Sequence, residues 1–136
     1  MLIKEFISET NKNQIISTLL KHYKVGNVKV KFKAMKDFAH FNVDNGTLEL
    51  STRFKTIPKR HSKELLITIL HEIYHAMDAK RYGWKKFKDM YEMEMNLRIA
   101  KGQDEYKDNK YEIDAEKFGQ QNWKSWFQTF KKKKMI

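Results

Sequence analysis

Leu65-Leu66-Ile67-Thr68-Ile69-Leu70-His71-Glu72-Ile73-Tyr74-His75-Ala76-Met77-Asp78 carries a His-Glu-x-x-His motif at the end of an apolar run. Residues four apart on an α-helix project from nearly the same face, so His71 and His75 can offer imidazole nitrogens to one ion. Glu72 is turned about 100° around the helix from His71. That places it beside the metal position, where it can take a proton from water the metal has acidified. Apart from Thr68, the six residues before His71 are apolar, and Leu66, Ile69, Leu70, Ile73 and Met77 recur at helical spacing. Such a helix belongs inside the domain. Ser62, with Pro58 upstream and Glu64 in the first turn, marks its start and Gly83 its end. The motif alone arises by chance about once per hundred chains of this composition. The competing reading is a core helix whose two histidines only find hydrogen-bond partners.

A chain of 136 residues with 40% hydrophobic and 13% aromatic content can bury one core and is too short for two ordinary domains. A single domain over residues 1–136, ending in a basic tail at 131–136, is therefore expected. Cysteine is absent, which excludes disulfides and cysteine-based zinc sites and leaves His and carboxylates as metal ligands. The N-terminus, Met1-Leu2-Ile3-Lys4-Glu5-Phe6, lacks the pattern of a secretory signal, and no stretch reaches the roughly 18 apolar residues of a membrane span. The expectation is a soluble, cytoplasmic monomer with no membrane contact. The 28 basic and 17 acidic side chains give a net charge of +11, which suits a nucleic acid or another acidic partner. Only four of the basic residues are arginine and the lysines are spread over every segment, so a lysine-rich coding bias gives the same total.

Residues 10–24 read as a helix capped by Thr10 or Asn11, with Ile15, Ile16, Leu19, Leu20 and Tyr23 as its apolar stripe. The alternation Val28-Lys29-Val30-Lys31-Phe32-Lys33 predicts a half-buried strand with lysines in water. Strands over 38–43 and 47–51 flank Asp44-Asn45-Gly46, where Asn-Gly suits two positive φ values in a tight turn, and Leu48 and Leu50 should point inward. Residues 53–63 read as a basic, solvated connection. Residues 84–100 read as a helix packed through Phe87, Met90, Met93, Leu97 and Ala100, 101–109 as a mobile loop, and 110–130 as a long amphipathic helix. The lysine run at 131–134 reads as a frayed tail that could also hold an anionic surface.

A hydrolytic zinc usually keeps three protein ligands and one open position. No histidine follows His75, so the third ligand is a carboxylate or one of His22, His40 and His61. The best candidate segment is Tyr111-Glu112-Ile113-Asp114-Ala115-Glu116-Lys117-Phe118-Gly119. Glu112 and Glu116 share one helix face, and Ala115 and Gly119 are small enough for close approach to the metal helix. Glu112 would bind the ion while Glu116 accepts a hydrogen bond from the far nitrogen of a ligand histidine. Two plainer roles compete: Glu112 could complete a capping box with Asn109, and Asp78, in phase with both histidines, could be a surface charge or another partner of a ligand histidine.

His71-Glu72-x-x-His75 followed by Glu112-x-x-Ala115-Glu116-x-Phe118 resembles the gluzincin metallopeptidases, especially small ImmA/IrrE-like proteins with a Glu-x-x-Ala-Asn/Asp-x-Phe helix. The resemblance covers about half the chain. It implies a minimal zincin-like α+β fold: an N-terminal helix, a small three-stranded sheet, the motif helix, then two C-terminal helices. It also implies that the 47–51 strand is the sheet edge beside the cleft, that Glu112 is the third zinc ligand, and that Glu116 stands where the family has Asn or Asp. A weaker resemblance is to SprT-like proteases, whose third ligand is a histidine in His-Gly-x-x-Phe/Trp. Tyr82-Gly83-Trp84-Lys85-Lys86-Phe87 repeats that pattern with tyrosine at the ligand position. Tyr82 is then a candidate donor to a developing oxyanion, or simply an amphipathic tyrosine at a helix end.

These readings converge on a zinc metallopeptidase acting on a protein or peptide substrate, with Glu72 and Tyr82 as catalytic candidates. His71, His75 and Glu112 would hold Zn2+, and Glu116 and Asp78 would support them. The alternatives are a protein in which zinc is only structural and a basic nucleic-acid-associated protein, including a phage-encoded regulator.

Overall fold

The computed structural model describes residues 5–136, so the first four residues of the N-terminal stretch read above lie outside it. The architecture is α+β: β1 (Phe6–Ile7), α1 (Glu9–His22), β2 (Lys29–Lys33), β3 (Ala39–Asn42), β4 (Thr47–Ser51), β5 (Ile57–Pro58), a 3-10 turn at Lys59–His61, α2 (Ser62–Tyr82), α3 (Trp84–Ala100) and α4 (Lys110–Lys132). β2, β4 and β3 form one sheet in that order, with β2 parallel and β3 antiparallel to β4. The strand at Thr47–Ser51 is therefore central, buried along its whole length, and the edge role assigned to it by resemblance falls to β3. Five consecutive buried residues need neighbours on both sides, which an edge strand lacks.

α2 lies across the inner face of the sheet. Leu66, Ile69, Leu70 and Ile73 are fully buried there, together with Leu48, Leu50 and Phe41. α4 packs along α2 at short range, because a Cβ on Gly119 would stand 2.9 Å from the Ile67 carbonyl oxygen. Asn109 caps α4 by accepting the Tyr111 N–H at 2.9 Å, and the buried Glu94 of α3 accepts the Lys110 N–H at 2.8 Å. The capping box with Glu112 does not form: that side chain turns toward α2 instead.

Several local expectations are corrected. α1 starts at Glu9 and is capped by Ser8, whose Oγ accepts the Asn11 N–H, because Ser8 precedes a first turn that begins with Glu9. In the β3–β4 connection Gly46 has positive φ and Asn45 does not, so the turn is longer than a two-residue hairpin. Asn45 instead accepts the Thr47 N–H through its side chain. Within the basic 53–63 segment, Ile57 pairs with Ile7 in a two-stranded sheet and both are buried. On α3 the buried face is Phe87, Tyr91 and Glu94, while Met93 is 72% exposed and Leu97 is exposed too. Within loop 101–109, Asp104 accepts the Tyr106 and Lys107 N–H groups. The lysine run is not frayed: α4 continues to Lys132, the Met135 N–H bonds the Phe130 carbonyl at 2.9 Å, and Met135 and Ile136 pack on the core.

Candidate metal centre

α2 and α4 bring three ligand atoms to one point. Glu112 Oε1 lies 2.7 Å from His71 Nε2 and 3.0 Å from His75 Nε2. Among the described residues, His71, His75 and Glu112 are the group of ligating side chains that could hold a metal ion, all three donor atoms lying within 4.8 Å of one another. The set of two imidazole nitrogens and one carboxylate oxygen suits a borderline cation such as zinc. The surroundings orient it. His71 Nδ1 is 3.1 Å from Glu116 Oε1, which leaves Nε2 aimed at the site, and Glu116 Oε2 is in turn bonded by Gln120. His75 is buried, and its Nδ1 has no partner among the described residues. Asp78, the other residue in phase with it, is buried one turn below without reaching that nitrogen, and burial raises its pKa.

Glu72 occupies the neighbouring position on α2. Its Oε1 accepts the Phe41 N–H from the β3 edge at 2.7 Å, and its Oε2 stands 4.0 Å from His71 Nε2. Burial raises its pKa, opposed by the two histidines and the Phe41 bond. Burial alone would lower the His71 pKa, but the Glu112 hydrogen bond and the charges of Glu72 and Glu112 push it up to about 9. Burial would likewise raise the Glu112 pKa, yet the two histidines and Tyr91 hold it well below the usual carboxylate range. Three carboxylates, Glu72, Glu112 and Glu116, thus crowd two imidazoles. Glu112 and Glu116 lie within hydrogen-bond distance of these imidazoles and Glu72 stands beside them, a concentration of acceptors inside a chain of +11. That is the electrostatic profile of a cation site.

The centre opens on a cleft of about 600 Å³ between β3 and α3, lined among others by Phe38, His40, Tyr91, Tyr106 and Met95. The Phe38 carbonyl accepts the Ser51 N–H, so even-numbered β3 residues bond to β4 while Ala39 and Phe41 turn their backbone groups to the cleft.

Tyr82 is not in this cleft. It ends α2, nearly two turns beyond His75, half exposed with Arg81 against its ring. The tyrosine at the centre is Tyr91, whose hydroxyl donates to Glu112 Oε2. Burial raises its pKa and the Glu112 bond raises it further, so it stays a proton donor. The signal in the sequence was its place four residues after Phe87 and three before Glu94 on one helix face. The upstream histidines stand elsewhere: His22 packs edge-on against Tyr23 and Trp126, His61 sits in the exposed 3-10 turn, and His40 lines the cleft wall without joining the group.

Compared with protein-family models, curated proteins and solved structures, the chain finds no match. Among the described residues no helix is long and apolar enough to cross a membrane.

Proposed function

We propose that the cleft is the active site of a zinc-dependent peptidase. The observation that carries this reading is the convergence of Glu112 Oε1 on both motif imidazoles with a fourth side open to the cleft, since closed structural sites take four protein ligands. When bound, zinc would acidify a water toward a pKa of about 7 and polarise the scissile carbonyl. Glu72 would take the water's proton on Oε2, because Oε1 is held by Phe41, and return it to the leaving amine. Its raised pKa brings it toward the range in which both transfers are efficient. An extended substrate would lie along the β3 edge, where Ala39 offers its N–H and carbonyl.

The test is metal content followed by turnover. The protein purified without added metal should carry about one zinc per chain, lost in His71→Ala and His75→Ala. The loaded protein should cleave members of a peptide library read by mass spectrometry. Zinc-free protein with unchanged folding in chelator would overturn the reading.

A further inference from the structure

The other edge of the sheet is also open, and it has a different character. β2 is exposed at every residue, Phe32 by 58% and Val30 by 38%, although both side chains belong to the apolar inner face. In the register with β4, Lys33 pairs with Ser51 and its carbonyl accepts the Thr52 N–H at 3.0 Å. Lys29, Lys31 and Lys33 therefore spend their backbone groups on β4, while Val30 and Phe32 turn theirs outward. Among the described residues no strand pairs with that edge. Below it, Val30 and Phe32 overhang a groove of about 510 Å³ formed with Ile16 and Leu20 of α1 and Leu50 of β4. On the opposite face stand the three lysines, none of which makes an ion pair among the described residues.

We propose that β2 docks an extended segment of another protein in which acidic and apolar residues alternate, added to the sheet as a fourth strand. Outward N–H and carbonyl groups supply the backbone bonds, the groove takes the apolar side chains, and the lysine row takes the acidic ones. A second copy of this chain does not fit, because pairing β2 with itself sets lysine against lysine. A nucleic acid fits poorly as well: Phe32 and the lysines lie on opposite faces, so a base stacked on the ring leaves its phosphates away from the charges. β4 separates this edge from β3 and the cleft, so the site is independent of the peptidase reading.

The full chain, labelled for amide NMR, is titrated with the peptide Glu-Val-Glu-Leu-Glu-Val-Glu, with its lysine counterpart, and with an isomer that groups the acidic residues. The alternating acidic peptide should move the Val30 and Phe32 amides and bind tightest, weakening with salt. Phe32→Glu, at an exposed position, should weaken it by about tenfold or more. Val30→Pro, which removes one outward N–H, should do the same, and Phe32→Glu carries the test where the proline variant does not fold. Equal binding of the grouped isomer, or unmoved Val30 and Phe32 amides, would overturn the proposal. So would single-stranded DNA shifting those amides where the peptide does not, or self-association abolished by Phe32→Glu.

Discussion

Tyr91 of α3 donates its phenolic hydrogen bond to Oε2 of Glu112 on α4, while Oε1 of the same carboxylate faces His71 Nε2 at 2.7 Å and His75 Nε2 at 3.0 Å on α2. One carboxylate thus ties three helices at a point. Its orientation depends on α3, which supplies no ligand of its own.

Tyr91→Phe should therefore lower zinc affinity by about 10–100-fold, the usual loss when a partner of a ligand is removed. The ring still fills its place against His75, Phe87 and Tyr111, so the fold should persist. Competition with a chromophoric chelator measures the affinity, and circular dichroism the fold. An affinity equal to that of the unaltered protein would detach Tyr91 from the centre.

The proton on His71 would make metal binding at the proposed centre pH-dependent. Its pKa rises from 6.5 to about 9, so in the metal-free protein its contribution to stability is complete below 6.5 and lost as pH climbs through 9. The Glu112 pKa falls from 4.5, so its contribution is present above 4.5 and lost as pH drops through the depressed value. Through this pair the metal-free protein should be most stable between 4.5 and 6.5. A cation needs neutral imidazole, so below about pH 9 it must displace the His71 proton. Calorimetry at about pH 7.5 in buffers of different ionisation enthalpy should show about one proton released per zinc from His71 and a further fraction from the bound water, with apparent affinity tightening toward pH 9. Binding without proton release would show that the His71 imidazole is already neutral at this pH, so that the carboxylates around it do not hold its proton.

How far the sequence reads the molecule depends on how local each signal is. The span of α2, its buried stripe and the closeness of α4 at Ala115 and Gly119 follow from helical periodicity and residue size, both written in consecutive residues. Strand order does not follow, because pairing β2 parallel to β4 across the β3–β4 hairpin is a long-range choice. Alternation in β2 correctly separates lysines from apolar residues, yet it cannot say that no helix covers Phe32. On α3 the apolar count finds the buried Phe87 but also picks Met93 and Leu97, which are exposed, and misses Tyr91 and Glu94, two polar-tipped side chains drawn inward by Glu112 and the α4 N-terminus.

Gly119 tests the helix contact that sets the ligand distances. An added Cβ would meet Ile67 O at 2.9 Å and Ile67 Cγ2 at 3.2 Å, and a backbone atom cannot swing aside. Overpacking costs about 1–3 kcal/mol, against about 1 kcal/mol gained in helix propensity. Gly119→Ala should thus lose stability in urea unfolding, while Gln121→Ala on the exposed side should be neutral. A more stable Gly119→Ala protein would mean that α4 can withdraw from α2 at little cost.

Under the proposed function Glu72 and Glu112 have similar chemistry and different duties, and their glutamine variants separate them. Glu72→Gln keeps the side-chain length, and its amide oxygen can still accept the Phe41 N–H, so the strand edge and both imidazoles should stay in place. Zinc should remain bound while cleavage of a peptide substrate falls by about 10²–10⁴-fold, the usual contribution of a general base. Glu112→Gln should do the reverse at the first step. A neutral amide is a poorer ligand, and it no longer neutralises His71, so zinc retention drops before turnover is measured. Metal analysis after dialysis, run beside the cleavage assay, reads both variants. If Glu72→Gln sheds zinc while Glu112→Gln keeps zinc and activity, the roles are exchanged and the ion must be held through Glu72. If both variants keep zinc and neither loses activity, the chemistry lies outside this cleft.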